Sequence, residues 1–224
     1  MTRILFFGDS LTDGDRDKTY NTPNYRGSYG MAFPIHVAAN LARINPNKYE
    51  VYNRGISGQR IIDLYARIKS DVWNLEPDVL NILIGINDIW HEIDFQNGVD
   101  LHRYEKIYRL IIEDTLKVLP NIKIILCEPF VLEGRATKNT EEQPNRFEKF
   151  CEVKEYAKVV KKLAEEYNLP FLLLQEKFND LAKKYGNETV VSDGVHPLVP
   201  GATLIADEWV KIFREHIDCD WTLN

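Results

Sequence analysis

The chain has 224 residues, which suffices for one α/β domain with a substantial core, so we expect a single domain over residues 1–224. Its hydrophobic content of 44% is ordinary for a globular protein. A net charge of −6 argues against nucleic acids and anionic membranes as partners, because both favour basic patches, and no apolar run approaches the roughly 18 residues of a membrane span.

Short apolar runs alternate with helical patterns along the chain. The predicted strands are residues 3–7, 50–53, 79–84, 123–127 and 171–174. The predicted helices are residues 29–44, 61–73, 104–119, 147–167, 176–185 and 201–217. This alternation predicts an α/β fold, a three-layer α/β/α sandwich around a five-stranded parallel sheet. The least regular segment, residues 128–146, is predicted to be an insertion loop.

Three segments with chemically suggestive residues begin where predicted strands end. Residues 8–12 read Gly-Asp-Ser-Leu-Thr, residues 53–58 read Asn-Arg-Gly-Ile-Ser-Gly, and residues 85–88 read Gly-Ile-Asn-Asp. Ligands bind at the carboxyl edge of open parallel sheets, so these segments are expected to meet there.

A serine and a histidine from opposite ends of the chain form a candidate acyl-transfer site. Ser10 lies at a strand-to-helix turn that would expose its hydroxyl, and His196 follows Asp193 by three residues. His196 can act as the general base toward Ser10 while Asp193 fixes the tautomer of the ring. We therefore predict Ser10, Asp193 and His196 as catalytic residues. The alternative for Ser10 alone is a helix cap.

An acyl-transfer site also needs donors for an oxyanion. The candidates are the backbone N–H groups of Ser10 and Gly58 and the side-chain amide of Asn87. A glycine permits close approach of the backbone to a substrate, and an asparagine donates without carrying charge. Taken alone, the segments that contain Gly58 and Asn87 could equally be ordinary turns.

These segments, with residues 193–197, resemble in order the sequence blocks of the SGNH hydrolases, the GDSL-type esterase and lipase superfamily. The resemblance covers roughly the whole chain and implies a flavodoxin-like α/β/α fold. It also implies that Ser10 is the nucleophile, that Gly58 and Asn87 bind the oxyanion, and that Asp193 and His196 complete the triad. The Gly-x-Ser-x-Gly elbow typical of α/β-hydrolases is absent.

A closer resemblance concerns residues 85–90 and 128–134. They resemble bacterial intracellular acetylxylan and acetyl-xylooligosaccharide esterases, which implies an acetylated oligosaccharide as the small-molecule ester substrate. Because those esterases form oligomers, the resemblance also implies a homo-oligomer. Trp90 would suit a wall that stacks on a sugar or lines an acyl pocket, although a plain core or interface role fits it equally well.

Three further residues are candidates for substrate contacts. Asp9 adjoins the nucleophile, Asp88 adjoins Asn87, and Arg16 lies in the acidic segment 13–17, which is expected to rim the pocket. Each has a structural alternative: Asp9 and Asp88 as helix caps, and Arg16 as part of a solvated loop. The polar residues after Ser10 favour a polar substrate.

No metal site or cofactor is predicted. Asp88, His91, Glu92 and Asp94 have ligand side chains but lack the His-Glu-x-x-His spacing. The three cysteines, Cys127, Cys151 and Cys219, lack metal or redox spacing. Free thiols and the absence of a secretory signal pattern predict a cytoplasmic protein.

The predicted function is that of a serine esterase that hydrolyses short acyl esters through an acyl-enzyme. Three alternatives remain open on the sequence. The first is a broad lysophospholipase, thioesterase or arylesterase on the same scaffold. The second is a sugar-binding protein that has lost turnover, and the third is a metal-dependent hydrolase.

Overall fold

The protein is described by a computed structural model that covers residues 1–20 and 22–218. Five parallel strands form one sheet in the order β2-β1-β3-β4-β5. The strands are β1 (Thr2–Gly8), β2 (Tyr49–Gly55), β3 (Val79–Leu83), β4 (Lys123–Cys127) and β5 (Phe171–Leu172). The α-helices are α1 (Ser10–Asp13), α2 (Phe33–Ile44), α3 (Ile61–Asp71), α4 (Ile86–Phe95), α5 (Leu101–Val118), α6 (Arg146–Phe150), α7 (Val153–Glu166), α8 (Gln175–Tyr185), α9 (Asn187–Val190) and α10 (Val199–His216).

Two layers of helices cover the sheet. Helix α2 packs against α10, whereas α3, α5 and α7 pack against one another in a row. Strands β1, β3 and β4 are largely apolar and buried, as parallel strands must be when helices cover both faces. Strand β2 is at the edge of the sheet and also carries the polar residues Glu50, Asn53 and Arg54. The predicted α/β/α sandwich around a five-stranded parallel sheet is therefore confirmed.

The register of the three central strands sets the position of the site. Gly8 at the end of β1 pairs with Gly55 in β2 and with Leu83 in β3. Three loops therefore leave the sheet at the same level: the loop with Ser10 after β1, the loop with Gly58 after β2, and the loop before Asn87 after β3. This places all three loops at one carboxyl edge of the sheet.

Several predicted boundaries were wrong, two of them for a local reason. Helix α2 begins at Phe33 rather than at residue 29, because Pro34 lies in its first turn, where a fixed φ favours a helix start. Strand β5 stops at Leu172, because the Glu128 carboxylate accepts the N–H groups of the next helix start at Leu174. The predicted helix 147–167 is divided into α6 and α7.

Helix α4 has no counterpart among the predicted helices. Its apolar side chains nevertheless follow helical spacing, at positions 86, 89, 90 and 93.

Outside the site, Cys127 and Cys151 are free thiols, and Cys219 lies outside the described residues.

Candidate active site

A chain of two hydrogen bonds links three of the predicted residues. The Oγ of Ser10 lies 2.7 Å from Nε2 of His196, and Nδ1 of His196 lies 2.6 Å from Oδ2 of Asp193. An ionised carboxylate only accepts hydrogen bonds, so the proton belongs on Nδ1. Nε2 is then free to accept the hydroxyl proton of Ser10, which is the arrangement that a general base requires.

The loop that carries the acid and the histidine is ordered by its own hydrogen bonds. Oδ1 of Asp193 accepts the N–H groups of Val195 at 2.9 Å and of His196 at 2.8 Å. Burial alone would raise the pKa of Asp193, but these bonds and the His196 ring lower it to about 2. The carboxylate in turn raises the pKa of His196 above its usual 6.5, against the effect of burial.

The predicted insertion loop packs against this candidate catalytic loop, residues 192–196, and bonds to its backbone. Backbone N–H groups at 132, 135 and 136 donate to the carbonyls at 194, 192 and 193, at 2.9 to 3.1 Å. Gly194 has a φ of 95°, and a Cβ there would lie 2.2 Å from Oγ1 of Thr137. Thr137 is fully buried and donates to the carbonyl of Leu132 at 2.7 Å while accepting the N–H of Gly134 at 2.9 Å. Sequence reasoning missed Thr137, since nothing in residues 128–146 signals which residue faces the catalytic loop.

The predicted oxyanion donors line the same cavity as Ser10. Gly58 has a φ of 79°, a left-handed conformation that favours glycine, and lies in the turn between β2 and α3. Asn87 is in the first turn of α4, and its Nδ2 donates to the backbone carbonyl of Gln59 at 3.1 Å. This bond occupies one amide hydrogen of Asn87 and leaves the second for a ligand.

The turn before Gly58 is held by a residue of the acidic segment. Asp13 is fully buried, and its Oδ2 accepts the backbone N–H of Ser57 at 3.0 Å and its hydroxyl at 2.8 Å. Lys18 donates to the same oxygen at 2.9 Å. Burial opposes ionisation here, but the bonds from Lys18 and Ser57 lower the pKa of Asp13 below its usual value. Asp13 thus shapes the turn instead of rimming the pocket.

The cavity has a volume of about 770 Å³ and includes one side chain predicted to contact substrate. Trp90 lines it with its ring centroid 6.2 Å from that of His196. The indole Nε1 donates to Oδ2 of Asp94 at 2.7 Å, and Asp94 also pairs with Arg146. The plain core alternative for Trp90 is therefore disfavoured, since the ring faces the cavity.

The other three predicted contact residues lie elsewhere. Asp9 is fully buried and caps α1 by accepting the N–H of Leu11 at 3.0 Å. Asp88 is 1% exposed and accepts the N–H of Ile61 at the start of α3. Arg16 is 7% exposed and donates to the backbone of the loop after β2. None of the three is among the described residues that line the cavity. Asp9 and Asp88 have the capping contacts of their structural alternatives, whereas Arg16 is buried and does not fit its alternative of a solvated loop.

The polar segment after Ser10 does not face the cavity as a whole. Thr12, Asp13 and Arg16 are buried in the protein, whereas Gly14 and Asp15 line the cavity. The polarity of this segment is therefore a weaker guide to the substrate than the sequence suggested.

Among the described residues no group of three or more histidines, cysteines and acids is placed to hold a metal ion. Within residues 1–20 and 22–218, no helix is both long enough and apolar enough to cross a membrane.

Comparison with known proteins identifies the family of the chain. A profile of the GDSL-like Lipase/Acylhydrolase family matches residues 6–204, which is most of the chain. The chain belongs to this family. Its relatives include an acetylxylan esterase of Geobacillus stearothermophilus, 33% identical over 224 residues, with 98% of this chain and 95% of the relative covered.

Solved structures of GDSL-like proteins have the same fold. One from Parabacteroides merdae, described as a GDSL-like lipase, is 34% identical with a TM-score of 0.84, and 94% of each chain is covered. Crystal structures of two catalytic mutants of Axe2, an acetylxylan esterase from Geobacillus stearothermophilus, superimpose with TM-scores of 0.80 and 0.81. Each is 32% identical and covers 94% of this chain and 93% of its own. This GDSL-family chain is accordingly a carboxylic ester hydrolase.

Proposed function

We propose that this protein is a single-domain serine esterase that removes acetyl groups from short carbohydrate chains through an acyl-enzyme. The observation that carries the proposal is the hydrogen-bond chain from Ser10 through His196 to Asp193, in the wall of a cavity. Gly58 and Asn87 line the same cavity and supply donors.

In this mechanism Ser10 attacks the ester carbonyl while His196 takes its proton. Asp193 stabilises the imidazolium that forms. The amides of Ser10, Gly58 and Asn87 bind the oxyanion of the tetrahedral intermediate. His196 then protonates the departing alcohol, and a water molecule repeats the cycle to release the acid. The mechanism uses no metal or cofactor.

The relatives support the acyl group and the residue roles. Two of the related structures are named as catalytic mutants of an acetylxylan esterase, one changed at a serine and one at an aspartate. Trp90 offers an aromatic face beside His196, where the alcohol leaves, and such faces pack well on the apolar faces of sugars. An acetylated oligosaccharide is therefore the proposed substrate.

A longer acyl chain is the second candidate, favoured by the apolar side of the cavity. Leu11, Phe33 and Ile205 line it, and Met31 and Phe95, also lining residues, are 76% and 67% exposed. A lysophospholipase or thioesterase of the same family would use such a wall for its acyl chain.

The test is hydrolysis of 4-nitrophenyl acetate, butyrate, octanoate and palmitate by the wild type, by Ser10→Ala and by Ser70→Ala. Ser70 is an exposed serine on α3 and is expected to be dispensable. We expect a preference for acetate and a fall of at least about 10⁴-fold in turnover for Ser10→Ala alone. Acetylated xylo-oligosaccharides are the next substrate. Full activity of Ser10→Ala would refute the mechanism, and a preference for octanoate would favour the second candidate.

A further inference from the structure

One guanidinium group contacts the ends of two strands, β1 and β2, and the turn between β2 and α3. Arg67 is on α3, and its side chain is only 12% exposed. Its Nη2 donates to the carbonyl of Gly8 at 3.1 Å, and its Nη1 donates to the carbonyl of Arg54 at 2.8 Å. Its Nε donates to the side-chain oxygen of Gln59. The group also lies over the ring of Phe7, 4.3 Å from the centroid, so it has little room to move.

These acceptors adjoin all three proposed oxyanion donors. The first acceptor precedes Ser10 by two residues, and Gln59 directly follows Gly58. The backbone carbonyl of Gln59 also accepts the side-chain N–H of Asn87 at 3.1 Å. Arg67 therefore contacts the segments that carry the donors and not the donors themselves. It is not among the described residues that line the cavity.

We propose that Arg67 is a positioning residue, which holds the three oxyanion donors at the separation that the tetrahedral intermediate requires. This inference rests on the function proposed above. Oxyanion donors stabilise charge because they are already in place before the reaction, and a displacement of about 1 Å can cost about 10²-fold in rate.

An arginine fits this role better than a lysine would. Its rigid fork of five N–H donors can serve several acceptors at once, whereas an ammonium is a compact point charge. Asp71 accepts from Nη1 of Arg67 at 2.7 Å and balances its charge. The contribution of Arg67 is therefore geometrical, and keeping only the positive charge should not preserve it.

The test is the variant Arg67→Lys, assayed with 4-nitrophenyl acetate and with active sites titrated to completion by a fluorophosphonate. We expect kcat per titrated site to fall about 10- to 100-fold, with KM within about twofold of the wild type. The acidic limb of the pH profile should not move, because the pair of Asp193 and His196 is untouched. A merely structural role would lower the melting temperature and the number of titrated sites but leave kcat per site unchanged, and that result would overturn the proposal.

Two more variants control for folding and for the route of the effect. Arg109→Lys changes another arginine that lies over an aromatic ring, Tyr167, and pairs with Glu166, and it should keep the wild-type kcat. Gln59→Ala removes one acceptor and should lower kcat about 10-fold, less than additively with Arg67→Lys. If Arg67→Lys does not fold, wild-type kcat in Gln59→Ala overturns the inference. Loss of Ser10-dependent hydrolysis in the wild type would instead refute the proposed function.

Discussion

Replacing Asp9 by asparagine is expected to stabilise the protein at neutral pH. The Asp9 side chain is fully buried, and only its Oδ1 has a partner, the N–H of Leu11. Oδ2 is among the buried oxygens without a hydrogen-bond partner in the part of the chain that the structure describes. Burial raises the pKa of Asp9 from 3.8 to about 7, although nearby donors oppose the shift. Asp9→Asn keeps the acceptor that caps α1 and removes the ionisable group.

The size of the effect follows from the shifted pKa. The unfolded chain releases this proton near pH 4, whereas the folded protein holds it until about pH 7. Between these values the folded state binds more protons than the unfolded state, so the free energy of unfolding falls as the pH rises. Three pKa units correspond to at most about 4 kcal/mol. The asparagine places an unpaired amide where Oδ2 was, which costs about 1–3 kcal/mol, so the net gain at pH 8 is about 1–3 kcal/mol.

Urea unfolding of the wild type and of Asp9→Asn at pH 5, 6, 7 and 8 measures this difference. The difference in unfolding free energy should grow with pH. Asp17→Asn is the control, because Asp17 is exposed and bonds to Thr19 lower its pKa, so its difference should not grow. A difference for Asp9→Asn that is constant from pH 5 to pH 8 would refute the reasoning. Because Asp9 does not line the cavity, KM for 4-nitrophenyl acetate should be unchanged.

Two predictions concern the triad and its support. Thr137→Val leaves two buried backbone groups without a partner, so we expect the free energy of unfolding to fall by about 2–4 kcal/mol and kcat by about 10-fold. Thr115→Val is the control, because Thr115 is also fully buried and its hydroxyl accepts the indole N–H of Trp73. This variant should lose stability but keep the wild-type kcat per titrated site. Equal losses of kcat in the two variants would contradict the role of Thr137. Since Asp193 raises the pKa of His196, which must be neutral to act as a base, the acidic limb of kcat/KM in the wild type should lie above pH 6.5. Asp193→Asn should move that limb to lower pH and lower kcat by about 10⁴-fold; an unmoved limb would argue against the pairing.

The sequence predicted the sheet and the meeting of its loops because both depend on local patterns. Apolar runs mark the strands, and the segments with Ser10, Gly58 and Asn87 each follow one. Parallel strands then bring those loops to one edge whatever the loops contain. The side-chain contacts of Ser10 with His196 depend on a short, self-bonded loop, whose spacing is also visible in the sequence.

For buried polar side chains, the sequence did not distinguish substrate contacts from structural roles. Asp9, Asp88 and Arg16 lie close to the site residues in the sequence, and their residue types suit a ligand contact as well as a structural hydrogen bond. Which of the two they serve depends on the backbone groups left without partners by the turns, and those are known only once the chain is folded. Arg67 was overlooked for a related reason, since it lies in the middle of a helix with no motif around it.

The segment 128–146, predicted as an insertion loop, is bonded to the site although its sequence is irregular. Arg146 pairs with Asp94, which accepts the indole N–H of Trp90, and it donates to the carbonyl of Ala136 at 2.6 Å. The N–H of Ala136 donates in turn to the carbonyl of Asp193 at 2.9 Å. The N–H of Glu128, at the start of this segment, donates to the carbonyl of Leu172 of β5, whereas the backbone at 132, 135 and 136 bonds to the loop that carries Asp193. Bonds to an irregular loop explain why this part of the segment lacks periodicity. The aromatic wall of the cavity and the acid of the triad share this one support, so a change at Arg146 acts on both.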